Sequence, residues 1–126
     1  TDPLPYRVTV TSAYGYRVHP VTGQLWSFHT GVDLAAGAGT PIYATRSGTV
    51  TTATYSDVYG YYVTINHGDG YSSLYGHMTH YVVSAGETVS QGQVIGYVGS
   101  TGWSTGAHLH FTIYYNGSTV NPMDYI

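Results

Sequence analysis

His108 and His110 stand two residues apart in His108-Leu109-His110-Phe111-Thr112-Ile113-Tyr114-Tyr115, a run that reads as a β-strand. With a side-chain period of two, both imidazoles leave one face while Leu109 and Phe111 enter the core from the other. Converging imidazoles suit metal binding or acid–base chemistry, because histidine is the commonest metal ligand and titrates near neutral pH. Two half-buried histidines bonded to neighbouring backbone would give the same isolated pattern. His29 and Asp33 form a second pair around Gly31, whose freedom permits a sharp turn bringing a ring nitrogen and a carboxylate oxygen to one point. Alone that spacing is weak, since a loop aspartate more often makes a turn or a cap. Zinc binds neutral His nitrogen and Asp oxygen at about 2.0–2.2 Å, and a catalytic site keeps three protein ligands with one position open. Two histidines and one aspartate meet that count.

His77, in Leu74-Tyr75-Gly76-His77-Met78, ends a strand beside a glycine that lets another group approach closely. An edge-strand histidine is the plainer alternative. His19, His67 and His80 each lie beside a turn and are read as solvent-facing bystanders.

The elements that must position these groups are strands. Residues 6–11 alternate in strand fashion, and Tyr14-Gly15-Tyr16 followed by His19-Pro20-Val21-Thr22-Gly23 reads as a chain reversal. Residues 26–39 read as a loop, because Gly31 and Val32 disfavour a helix while Gly37 and Gly39 interrupt any that starts at Leu34. Strand signals then follow at 41–45, 48–55, 61–66, 71–78, 81–83, 94–98 and 108–115, predicting seven or eight strands in an antiparallel sheet. Gly68-Asp69-Gly70, Ala85-Gly86-Glu87 and above all Asn116-Gly117 carry tight-turn chemistry.

Composition supports the same class and excludes others. The 126 residues fit one domain. Only 7% are charged, three arginines (Arg7, Arg17, Arg46) against six acids, which cannot neutralise a run of phosphates and so excludes a nucleic-acid binder. No apolar run approaches the roughly 18 residues of a membrane span. Fifteen tyrosines and 17 glycines favour short β-strands over long helices, and 42% hydrophobic residues argue against disorder. With no cysteine there is neither a disulfide framework nor a thiolate metal site. Thr1 to Tyr6 show no signal segment, so the sequence is read as a trimmed mature domain whose targeting sequence has been lost, which by itself decides nothing about export.

The chain resembles the lysostaphin-type (LytM-domain) zinc metallopeptidases, which cut peptide bonds in bacterial peptidoglycan. The resemblance runs through Ser12-Ala13-Tyr14-Gly15-Tyr16-Arg17, His29-Thr30-Gly31-Val32-Asp33, Gly39-Thr40-Pro41-Ile42-Tyr43-Ala44 and Gly48-Thr49-Val50. It continues in Tyr75-Gly76-His77-Met78, in the stretch from Gly86 to Gly96, in Gly99-Ser100-Thr101-Gly102-Trp103-Ser104-Thr105-Gly106, in His108-Leu109-His110-Phe111 and in Val120-Asn121-Pro122. By that resemblance His29, Asp33 and His110 are the ligands of one zinc ion, and His77 and His108 are the unligated catalytic histidines. Which of the two is base and which acid is left open. The resemblance further implies an all-β fold, a curved antiparallel sheet with an active-site groove on its face and little helix, forming a single peptidase domain over 1–126. It implies a monomeric peptidoglycan endopeptidase, secreted or wall-associated, from a bacterium or a phage. Glycyl bridges, D-alanyl cross-links and stem bonds are all cut within the family, with a stem or cross-link bond favoured here.

Residues 24–26 and 59–62 depart from the usual pattern and border the groove in relatives. Tyr75, Ser104 and Thr105 are candidates to support the ligands, Gly102 and Gly106 to let backbone lie along a substrate, and Trp26 and Trp103 to wall it. Three rivals stand beside this reading. The first is a catalytically inactive wall-binding or hydrolase-regulating module of the same fold, which would be expected to lack one of the five positions. The others are an iron oxygenase using a two-His-one-carboxylate set, whose surrounding signatures do not match, and a structural β-protein with incidental histidines.

Overall fold

The structure is a computed structural model that describes residues 2–5, 10–18, 25–102 and 106–126, with backbone alone at residues 12, 16–18 and 25–29. Among the described residues there are twelve strands. These are β1 (Val10–Ser12), β2 (Gly15–Val18), β3 (Leu25–His29), β4 (Val32–Ala35), β5 (Pro41–Tyr43), β6 (Gly48–Ser56), β7 (Gly60–Gly68), β8 (Tyr71–Tyr81), β9 (Thr88–Val89), β10 (Val94–Val98), β11 (His108–Tyr115) and β12 (Ser118–Val120). One 3-10 turn, Pro122–Asp124, follows, with the Asn121 side chain accepting from the Met123 N–H. The main sheet runs β1-β4-β11-β8-β7-β6-β9, with β12 on β11 and β10 joining β8 to β5, while β2 and β3 form a separate pair. All these pairings are antiparallel, as the sequence predicts.

Two expectations are corrected. The stretch 26–39, read as a loop, carries most of β3 and all of β4. Val32 and Leu34 are buried while Asp33 and Ala35 are less so, a period of two that seats β4 between β1 and β11. Gly31 is a point of close approach: a Cβ there would meet Phe111 O and Thr112 Oγ1, each at 2.5 Å. The separate strand expected at 81–83 is also absent, because β8 continues through Tyr81 and residues 82–84 are irregular. The 19–23 reversal and residues 6–9 lie outside the described residues.

Register sorts the central strands into two faces. Leu109, Phe111 and Ile113 of β11 enter a core with Tyr75, Val63, Ile65, Val50 and Leu34. His108, His110, Thr112 and Tyr114 occupy the other face, level with Gly76, Leu74 and Ser72 of β8 and with Tyr62, Thr64 and Asn66 of β7. The Asn116-Gly117 hairpin forms as expected, with φ of 50° and 84°.

Candidate active site

β4 and β11 pair so that Asp33 lies directly opposite His110. Their side chains share a face, and His110 Nδ1 stands 3.1 Å from Asp33 Oδ1. The other ring nitrogen, Nε2, is 2.9 Å from the Thr112 hydroxyl, one more step along the same face. In the tautomer that donates Nε2–H to Thr112, the Nδ1 lone pair and the Asp33 carboxylate oxygen face each other. A divalent cation bound by both turns that repulsion into two bonds, and donors 3.1 Å apart lie within the reach of zinc bonds of about 2.0–2.2 Å. The donor chemistry therefore fits zinc. Among the described side chains no group of three metal-binding residues is complete. His29, the expected third ligand, is described by its backbone alone, at the end of β3 and two residues before Gly31.

His108 follows from the alternation of β11. Its Nδ1–H donates to Gly106 O at 2.9 Å, and its Nε2 stands 3.7 Å from Asp33 Oδ1. His77 arrives by a different route. The alternation of β8 would send it to the core face with Ser73 and Tyr75, yet its ring lies 4.7 Å from that of His108 and 6.0 Å from that of His110. The cause is its φ of +62°, a left-handed conformation that few non-glycine residues adopt, with register shifts where β8 pairs with β10 and β7 but none where it pairs with β11. After it, Met78 is fully buried in the core.

Three hydrogen bonds hold that conformation: His77 N–H to Tyr59 O at 2.6 Å, Gly99 N–H to His77 O at 2.9 Å, and His77 Nδ1–H to Thr101 O at 2.6 Å. Burial is the main force lowering the His77 pKa, with His108 and His110 adding to it, against the opposing Thr101 carbonyl and Asp33.

Some supporting residues were missed in the sequence. Thr101 Oγ1 donates to Met78 O at 2.6 Å and accepts from Tyr61 N–H at 3.1 Å, which pins its carbonyl onto His77. Nothing local in the sequence signals that contact, since its partners are 23 and 40 residues away. Thr112 was legible as the next even position after His108 and His110. Tyr59, in the atypical 59–62 stretch, places its ring 5.3 Å from that of His110 and 5.6 Å from Tyr62. Tyr75 is a correction: its hydroxyl serves the opposite face, 2.9 Å from Thr45 Oγ1 and 2.8 Å from Ser73 Oγ, because odd positions of β8 before His77 point to the core. Gly102 closes against Gly60 with φ of +76°, and Gly106 supplies a carbonyl to His108. Ser104, Thr105 and Trp103 lie outside the described residues, and the Trp26 side chain is not described.

His67 also differs from its expected solvent-facing place. It is half-buried, with Nδ1–H donated to Ser47 O at 2.9 Å and Nε2 2.7 Å from Ser73 Oγ. His80 is exposed, its ring 5.0 Å from that of Tyr97.

Compared with known proteins, the chain matches Peptidase family M23 over residues 27–122. The chain belongs to peptidase family M23. The M23 match spans all five expected site residues. A DD-carboxypeptidase/endopeptidase, Mpg, of Neisseria meningitidis serogroup B is 43% identical over 122 residues, covering 97% of this chain and 28% of that relative. Among solved structures, a zinc containing peptidase from Vibrio cholerae superposes with a TM-score of 0.87 at 34% identity, covering 97% of this chain and 39% of the other. The catalytic domain of lysostaphin from Staphylococcus simulans gives a TM-score of 0.81 at 33% identity, with 94% and 91% covered. This M23 chain thus spans under a third of the neisserial relative's length.

Proposed function

We propose that this M23 domain is a zinc-dependent endopeptidase that cuts D-alanyl cross-links of bacterial peptidoglycan outside the cell membrane. The observation that carries the reading is the convergence of Asp33, His110, His108 and His77 on one open sheet face, with a metal-compatible gap between Asp33 and His110. The bond is taken from the neisserial relative's description as a DD-carboxypeptidase/endopeptidase.

His29, Asp33 and His110 would hold the zinc ion, with Thr112 orienting His110 through Nε2. When bound, zinc supplies Lewis-acid polarisation of the scissile carbonyl and lowers the pKa of water toward about 7. His77 is assigned the base: donation of Nδ1–H to Thr101 O leaves Nε2 as its accepting nitrogen. His108 is assigned the acid, because a proton on its Nε2 faces the Asp33 carboxylate at 3.7 Å. From there it can pass to the leaving amine. Tyr59, beside His110, lines the approach for the peptide.

Elemental mass spectrometry for metal, paired with digestion of purified sacculi with and without chelator and mass spectrometry of the fragments, tests the reading. One zinc per chain and chelator-sensitive release of D-alanyl-terminated fragments are expected. Fragments cut elsewhere would reassign the bond. Absence of both zinc and release would replace the enzyme with a wall-binding module.

A further inference from the structure

We infer that the end of the open sheet face remote from the histidines is a second subsite, taking the N-acetylated amino-sugar strand from which the cleaved stem hangs. This rests on the cross-link endopeptidase reading. Beside the turn at Gly68-Asp69-Gly70 and the hairpin at Asn116-Gly117 lies an open cavity of about 540 Å³, lined by Thr51, Asn66, Ser72 and Asn116 among others. It lies on the same face as the active site. Asn66 pairs with Ser72, Ser72 pairs with Tyr114, and Tyr114 lies four positions along β11 from His110.

That separation decides what reaches the cavity. Four positions of strand span about 13 Å. A stem cut at its terminal D-alanyl cross-link carries about four residues back to the sugar, and an extended peptide of that length spans about 13–14 Å. With the scissile carbonyl at His110, a stem lying along β11 therefore brings its sugar to Asn66 and Ser72. At the sugar end Tyr114 is level with Ser72, and at the histidine end Tyr59 lies beside His110 and Tyr62, rings that can flank a peptide backbone.

The lining chemistry favours a sugar over more peptide. Among the described lining residues Asp69 is the one charged group and none is a cation, so the carboxylates of a stem would find no partner in them. Carboxamides and hydroxyls both donate and accept, which matches ring hydroxyls and acetamido groups. The groups are also pre-oriented. Asn66 Oδ1 accepts from Gly68 N–H at 3.0 Å, Thr51 Oγ1 lies 2.7 Å from Thr64 Oγ1, and the Asn116 side chain packs against Gly70.

The test uses the zinc-loaded protein and two forms of one cross-linked peptide, with the disaccharide attached or removed by an amidase. Removal is expected to lower kcat/KM about tenfold through KM, the equivalent of roughly two hydrogen bonds. Asn66→Ala and Ser72→Ala should narrow that gap by slowing only the sugar-bearing substrate. In the zinc-free protein, N-acetylglucosamine oligomers should shift the NMR amide signals of Asn66, Ser72 and Asn116. Equal rates on both substrates would overturn the subsite and leave the peptidase standing. If neither substrate is cut, the peptidase reading fails and the titration alone decides the subsite, with unchanged signals overturning it.

Discussion

His67 and His77 begin alike and end differently. Both belong to the main sheet, His67 half-buried and His77 buried, both donate Nδ1–H to a backbone carbonyl, and burial lowers the pKa of each. His67 turns its second nitrogen to Ser73, which is tied in turn to Tyr75 and, through it, to Thr45 under the core face. His77 carries its ring to His108 and His110 on the open face. The difference lies in one backbone angle, because the +62° φ of His77 moves it across the sheet, whereas His67, without a positive φ, keeps its ring on the core face beside Ser73 despite the register shift around it. A histidine's role in this fold is thus set by what its second nitrogen meets.

The largest effects should come from the open face. Asp33→Ala or His110→Ala is expected to remove zinc and to slow hydrolysis by about 10³-fold or more, read by elemental analysis and sacculus digestion. Retention of full zinc by either variant would break the ligand assignment. His77→Ala should keep the metal and lose about 10²–10⁴-fold in turnover, whereas His67→Gln should stay within about twofold. Equal losses in the two would erase the contrast between them.

A smaller effect is expected at Thr101. Thr101→Val removes the hydroxyl that bonds Met78 O and Tyr61 N–H, so kcat should fall about tenfold with zinc content and KM unchanged, and Thr101→Ser should restore it. On the core face, Ser73→Ala leaves both His67 and Tyr75 short of a partner and should cost about 1–3 kcal/mol in urea unfolding, with the specific activity of folded protein preserved.

The smallest effect concerns pH. Because burial holds the folded His67 pKa below that of the unfolded chain, the unfolded state takes up its proton first as pH falls. The stability contribution is whole above about pH 6.5 and declines below it until the folded pKa is passed. The urea midpoint of the parent should drop between pH 7.5 and 5.5 by more than that of His67→Gln, and parallel curves would show that another group dominates.

Legibility followed the length of regular pattern. β10 and β11 carry the predicted bounds, β6, β7 and β8 lie close to theirs, and the Asn116-Gly117 turn is where its chemistry put it. Short strands next to glycines were not legible. β3 and β4 read as loop because Gly31 looks like a breaker until the pairing with β11 shows why a side chain cannot fit there. The side of the sheet taken by Tyr75 and the enclosure of His67 were missed for the same reason, since neither can be read without knowing which strand lies alongside.

The sequence by itself determined the all-β class, through tyrosines, glycines and alternation, and the pairing of His108 with His110 on one face, through a period of two. It also carried the family, through motifs in a fixed order. Only the tertiary structure decided that Asp33 faces His110, because that contact is a register between strands 77 residues apart. Only it decided that His77 crosses to the open face, because the left-handed angle is held by Tyr59, Gly99 and Thr101, partners that no local propensity can supply.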